Sequence, residues 1–284
     1  VNRTSIEWTD FTWNPIRARN NRSRRIGTFC TRISPGCKNC YASTINRRFG
    51  TGDEYEVPNL AHTEFFLKDR MLAEPVARKK PARIFVGDMF DLFHEQIPIA
   101  FITEVLRVAH ETPRHTFQFL TKRAERMRVL VNRTQEHWGV TFGSHMHFGV
   151  SVEDQHRADE RVPELLRTLA AVIFLSVEPM LQAIDLVRAH RQLTPYCLAP
   201  GVNWVICGGE SGPGARPFNL AWAEVLLKQC RAANVPFFMK QIGSNPWWMS
   251  KGEPEVSNRY RTNDRKGGDP AEWPEALRVR EFPR

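Results

Sequence analysis

Three of the six cysteines, Cys30, Cys37 and Cys40, fall within eleven residues. The turn Ser34-Pro35-Gly36 between the first two folds the loop back, so the three sulfurs can converge on one point. Three thiolates make a soft, metal-binding cup. A structural zinc site takes four protein ligands, whereas a four-iron cluster held by three cysteines leaves one iron open to a substrate or cofactor. The missing fourth cysteine is therefore the informative feature. Cys197, Cys207 and Cys230 have no paired spacing that supplies it.

A second set of reactive side chains follows the predicted strands. Apolar, β-branched and aromatic runs at Arg83 to Gly87, Thr116 to Leu120, His147 to Val152, Val172 to Val177, Trp204 to Cys207 and Pro236 to Met239 end on Asp88, Lys122, Glu153, Glu178, Glu210 and Lys240. One charged residue at a strand end is ordinary solvation, but a charge after every strand points to a shared polar cavity. In parallel βα architectures that cavity is the active site, at the C-terminal strand ends. The segment Cys207-Gly208-Gly209-Glu210 adds glycines directly after a strand, where backbone can approach a nucleotide or phosphate closely. It matches neither phosphate-loop nor dinucleotide fingerprint, and a plain tight turn also explains it.

The elements that must position these groups alternate. Helical segments are expected at Tyr41 to Phe49, Ile99 to Glu111, Ala124 to Val131, Asp159 to Leu169 and Ala221 to Asn234. The last is the clearest, with Trp222, Val225, Leu226 and Cys230 at helical spacing and Asn234 and Pro236 as its stop. Ahead of them, Ile6 to Pro15 reads as a short strand entering a turn. The alternation specifies an α/β fold, a partial parallel (βα) barrel of six to seven βα units, with a doubly wound open sheet as the competing architecture. The barrel-like domain is expected over 1–243. The rest, 244–284, is a loop-rich C-terminal extension that packs back on it, with Trp247 and Trp248 as packing residues or a stacking platform.

The net charge of +9 is local. The first fifty residues hold ten Lys or Arg against only Glu7 and Asp10, so almost all of the excess lies beside the cysteine loop. Arg17, Arg19, Arg22, Arg24 and Arg25 form an interrupted run, readable as a solvated flexible loop or as a phosphate-binding arm for nucleic acid. No run of eighteen apolar residues occurs and the opening residues are polar, so neither a membrane span nor a secretory leader is expected. Clustered cysteines without a disulfide pattern suggest reduced thiols and a cytoplasmic location.

Several strings are more specific. Glu7-Trp8-Thr9-Asp10, Thr12-Trp13-Asn14-Pro15, Ser34-Pro35-Gly36-Cys37, Cys40-Tyr41-Ala42, Phe119-Leu120-Thr121-Lys122, Gly149-Val150-Ser151-Val152-Glu153, Ser176-Val177-Glu178-Pro179, Gly208-Gly209-Glu210-Ser211-Gly212-Pro213 and Lys266-Gly267-Gly268-Asp269 run nearly end to end. Through them the chain resembles the phage Gp37/Gp68 family (DUF5131), which is itself similar to the radical S-adenosylmethionine (SAM) enzymes, TIM-like in fold. That resemblance implies a 4Fe-4S cluster on Cys30, Cys37 and Cys40, with SAM chelating the open iron and cleaved to a 5'-deoxyadenosyl radical that abstracts hydrogen from an unactivated carbon. It implies cofactor contacts from Tyr41, Asp88 and Ser151 or Glu153, while Gly208, Gly209 and Glu210 are cofactor-binding candidates on their place directly after a strand. Glu178 and Lys240 become the catalytic candidates. A reducing partner protein would supply the electron.

Three readings follow. The first is a radical SAM-like enzyme acting on a nucleic acid or nucleotide. The second is a metal-dependent, zinc-type phosphoesterase with Asp88, Glu153 and Glu178 as extra ligands. The third is a non-catalytic DNA-binding module, with structural zinc on the three cysteines and a histidine or Cys207.

Overall fold

Trp13, Ile84, Phe85, Val86, Phe117 and Phe119 are all buried, so the β-branched and aromatic runs become strands with both faces covered. The computed structural model describes residues 1–191, 201–248 and 259–283, and Cys197 lies outside them. The chain divides into two compact units. The first comprises Val1–Gly149 with Thr168–Val172, the second Val150–Arg167 with Ile173–Arg284.

In the first unit, β1 (Asn2–Arg3) runs antiparallel to β2 (Phe11–Trp13). Then β3 (Ile16–Asn20), β4 (Ile26–Gly27) and, after α1 (Tyr41–Phe49), β5 (Thr63–Leu67) form a separate antiparallel sheet with β3 in the middle. Two short helices, α2 (Asp69–Leu72) and α3 (Glu74–Ala77), lead to β6 (Arg83–Val86), which pairs in parallel with β2. The Trp13 indole donates to Met71 O at 2.7 Å and ties that turn to β2. α4 (Ile99–His110) buries Ile102, Val105, Leu106 and Ala109, one face of a helix at helical spacing. β7 (Thr116–Thr121) is parallel to β6, and α5 (Ala124–Trp138) leads to β8 (Met146–Ser151), the neighbour of β7. Between them Phe119 stacks on Phe148 at 4.9 Å.

The last residues of β8 open the second unit. There α6 (Gln155–Leu166) starts at Asp154, whose carboxylate accepts from Arg157 N at 2.8 Å. β9 (Val172–Val177) borders β8, and after α7 (Leu186–Arg191) comes β10 (Trp204–Gly208), parallel to β9. β11 (Phe218–Asn219) runs into α8 (Leu220–Ala232), which is capped by Asn219. β12 (Phe237–Gln241) is parallel to β10, and β13 (Pro246–Trp247) pairs with β11. The chain is thus mixed α/β with a mostly parallel strand order. No helix among the described residues is long and apolar enough to cross a membrane.

The strand positions follow the expectation closely, and the differences have local causes. α5 runs seven residues beyond Val131, to Trp138, and stops at Gly139, whose φ of +63° closes the helix in the left-handed region. α6 begins at Gln155 rather than Asp159, because Asp154 is the cap. The C-terminal segment is irregular yet anchored within the second unit. Trp273 and Leu277 are buried, Met239 N donates to Val279 O at 2.8 Å, and the Trp204 indole donates to Glu281 O at 2.7 Å.

Candidate functional site

The cysteine loop follows β4 and is built in three steps. Phe29 is fully buried and anchors the strand end, with Cys30 and Cys40 packed against the small core of Ala18, Phe29, Ala42 and Tyr55. A single 3-10 turn, Pro35–Cys37, reverses the chain, and the Ser34 hydroxyl lies 3.7 Å from the Cys37 sulfur. Cys40 then occupies the N-cap of α1. Burial pushes the Cys30 thiol up to about 12, the Arg123 guanidinium pulls it back, and charge on Cys37 or Cys40 adds to the rise. All three thiols are free.

Beneath Cys30 lies a charged network. Arg123, just past β7, directs Nη1 at the Cys30 sulfur (3.8 Å) and at Asp91 Oδ2 (3.0 Å), Nη2 at the Thr31 hydroxyl (2.8 Å) and Nε at Glu95 (2.8 Å). Asp91 also accepts from the Thr121 hydroxyl at 2.6 Å and from Phe93 N and Lys122 N. Burial pushes the Asp91 carboxyl up, but Arg123, Thr121 and the two backbone donors outweigh it and leave it below the usual range. His94 is buried beside them. Its Nδ1 accepts from Gln96 N at 3.1 Å, so in the neutral ring Nε2 carries the proton and donates to Thr31 Oγ1 at 3.0 Å.

Tyr41 and Asp88, predicted separately, meet: the Tyr41 hydroxyl donates to the Asp88 carbonyl at 2.7 Å. The Asp88 carboxylate accepts from Asn14 Nδ2 at 2.7 Å, and burial raises its pKa against that hydrogen bond.

The first part of the arginine run is a strand, not a loop. Ile16, Arg17, Ala18, Arg19 and Asn20 alternate buried and half-buried as the central strand of the antiparallel sheet. Arg17 is largely buried, with its pKa lowered by that burial, and Arg19 pairs with Glu64 while lying over the Phe66 ring. Only Arg22, Arg24 and Arg25, in the turn between β3 and β4, are fully exposed.

In the second unit, Glu178 and Lys240 are brought together at 3.0 Å by the ends of β9 and β12. Gly208 explains itself there, since a Cβ on it would stand 2.6 Å from Glu178 Oε1. Gly209 lies against Ile242 O, which a Cβ would meet at 2.7 Å, and its backbone bonds Gln241 from both sides. Glu210 is engaged by Arg216, whose Nη2 and Nε donate at 2.6 and 3.0 Å. Glu153 is fully buried and paired at 2.9 Å with Arg161, which also donates to Ser151 O at 2.7 Å. Cys207 and Cys230 are buried, and burial drives the Cys207 thiol well upward.

The sequence model of DUF5131, a family described as protein of unknown function, matches residues 3–270. The chain belongs to the DUF5131 family. No curated protein and no solved structure matches it.

Among the described residues of this DUF5131 chain, no three His, Cys, Asp or Glu side chains draw together tightly enough to hold one metal ion. A tetrahedral zinc needs its thiolates about 2.3 Å from a single centre. A cubane spreads three thiolates over three irons and tolerates wider spacing. The three thiols are free, and Cys30 lies 3.8 Å from the Arg123 guanidinium. The residues that sequence reasoning missed are Thr31, Asp91, His94 and Arg123. Their only signal was position, since Asp91 and Arg123 sit beside the chosen strand-end residues Asp88 and Lys122.

Proposed function

We propose that this DUF5131 chain is a radical SAM-like iron-sulfur enzyme, built on a partial (βα) barrel, that acts on a nucleic acid or nucleotide in the cytoplasm with an electron from a reducing partner protein. The observation that supports the reading is the cysteine loop after β4, with Cys30 against Arg123 and Cys30 and Cys40 packed on one small core.

Cys30, Cys37 and Cys40 would hold the cluster, and with SAM it would supply a carbon-centred radical able to remove hydrogen from an unactivated carbon. Arg123 would neutralise thiolate charge at Cys30, and the Asp91 and Glu95 carboxylates fix that guanidinium in place. Tyr41 and Asp88 stand together beside the loop as candidate cofactor contacts. Glu178 and Lys240, paired at 3.0 Å, would act on the substrate or on proton delivery. Among the remaining candidates, Glu153 and Glu210 already have arginine partners, which favours positioning roles for both.

Anaerobic purification tests the reading. It predicts a brown protein with about four irons per chain and an absorbance that bleaches on reduction. Replacing Cys30, Cys37 or Cys40 by Ala removes the iron, whereas Cys207→Ala and Cys230→Ala keep it. A colourless protein with one zinc would overturn it.

A further inference from the structure

We infer that the turn between β3 and β4, together with the outer face of α1, is a binding surface for single-stranded nucleic acid, held by phosphate contacts to Arg22, Arg24, Arg25 and Arg48 and by a base stacked on Phe49. The inference rests on the nucleic-acid part of the proposed function and extends it to a place and a strand state.

The two elements form one rigid surface. Asn46, buried on α1, accepts from Thr28 N at 3.1 Å and from Thr51 N at 3.2 Å through Oδ1, and donates to Asp53 O at 3.0 Å. A Cβ on Gly27 would meet Asn46 Oδ1 at 2.3 Å, so the hairpin is seated directly on the end of the helix. Arg25 closes the join by donating from Nη2 to Arg48 O at 3.3 Å, at the C-terminus of α1. The hairpin that carries Arg22, Arg24 and Arg25 thereby packs on the helix end that carries Arg48 and Phe49.

Charge marks this surface for an anion. Several arginines of the unit are matched: Arg19 with Glu64, Arg32 with Glu54 and Glu56, Arg47 with Glu54, and Arg107 with Glu104 and Glu111. The carboxylates nearest the hairpin are already engaged, Asp53 by Asn20 and Glu54 by Arg32 and Arg47. Among the described residues Arg22, Arg24, Arg25 and Arg48 have no carboxylate partner. Four arginines without carboxylate partners, on a hairpin and on the helix end it packs against, suit the phosphates of a polyanion.

Aromatic exposure marks it for unpaired bases. Phe49 ends α1 with 72% of its surface open, the Arg48 guanidinium lies 4.9 Å from its ring centre, and Ile45 and Ile26 are exposed nearby. A bare aromatic ring beside a planar cation offers a stacking platform that a duplex, with its bases already stacked, cannot use. None of these contacts requires a 2'-hydroxyl, so DNA and RNA strands are expected to bind alike.

The test is fluorescence anisotropy with a labelled oligothymidylate about 20 nucleotides long. The full chain should bind it more tightly than a duplex of equal length, with affinity falling steeply as salt rises from about 50 to about 200 mM. Replacing Arg22, Arg24, Arg25 and Arg48 by Gln should flatten the log-log salt slope by about 0.7 per arginine. A threefold variant that spares Arg25 keeps the helix join and should still lose most of that slope. Phe49→Ala should weaken binding roughly tenfold with the slope intact. An unchanged slope in both arginine variants, no loss in Phe49→Ala, or equal affinity for duplex would overturn the inference. Iron content of the same variants should equal that of the unaltered chain, so failure of this surface is read separately from failure of the cluster.

Discussion

Arg123 Nη1 lies 3.8 Å from the Cys30 sulfur and 3.0 Å from the Asp91 carboxylate, so one buried guanidinium joins the cysteine loop to the floor below it. Its side chain is 4% exposed and that of Asp91 10%. Arg123→Met removes the cation and leaves Asp91 buried without its partner. Urea unfolding of the metal-free protein should then show a loss of about 3–5 kcal/mol, with Arg123→Lys intermediate because it keeps the charge but not the fork. A loss under about 1 kcal/mol would mean that the pair contributes no more than a surface bridge.

His94 gives the same region a pH signature. Burial is the largest cause of its lowered pKa, followed by the charge of Arg123, and together they hold the ring at about 4 against an ordinary 6.5. A histidine kept neutral binds fewer protons folded than unfolded. Stability is therefore complete above about 6.5 and is lost as the pH falls from there to about 4. Protonation would also break the bond from Gln96 N to Nδ1. Urea midpoints measured across this window should decline, and less steeply in His94→Gln. His147, lowered to about 4 by its own burial, and His115 and His145, lowered by theirs, contribute to the remaining slope. An identical profile in the variant would remove His94 from the account.

Glu153 and Arg161 are enclosed as a pair, 0% and 2% exposed. Glu153→Gln leaves a buried guanidinium half-satisfied, and the expected consequence is a stability loss of about 3–5 kcal/mol. Binding of SAM, followed by calorimetry well below the melting temperature, should change little. A selective loss of SAM affinity with normal stability would instead support the cofactor contact that the resemblance implies for Ser151 or Glu153.

Gly208 and Glu178 make a sharper case. A methyl group at Gly208 would sit 2.6 Å from Glu178 Oε1 and push the carboxylate off Lys240. Gly208→Ala should therefore reproduce the turnover defect of Glu178→Gln, at roughly a hundredfold loss for a displaced acid-base group, while keeping its iron. Gly209→Ala meets backbone at Ile242 O and should destabilise the fold instead. Turnover near the unaltered level in Gly208→Ala would show that the ion pair is structural.

Much of this architecture was readable in advance because it is local. Val172–Val177 and α1 match their expected bounds, since a β-branched run and a helical stretch ending at Gly50 carry their own limits. The strand Ile16–Asn20 was hard to read because its charges draw attention from its alternation: Ile16, Ala18 and Asn20 are buried between half-buried Arg17 and Arg19. The Asp91–Arg123 pair was missed for a different reason. The partners are 32 residues apart, and both stand some 60 to 90 residues from Cys30, so no periodicity links them. The Glu178–Lys240 pairing was likewise invisible, although each residue was chosen, because the order β9, β10, β12 that aligns them is a property of the sheet.

Electron paramagnetic resonance of the anaerobically reduced protein, with and without SAM, addresses the central claim most directly. A cluster with one iron left open by Cys30, Cys37 and Cys40 predicts a fast-relaxing signal that shifts when SAM is added and vanishes in Cys37→Ala. A signal indifferent to SAM, or no signal from protein that carries its full iron complement, would contradict an open coordination site.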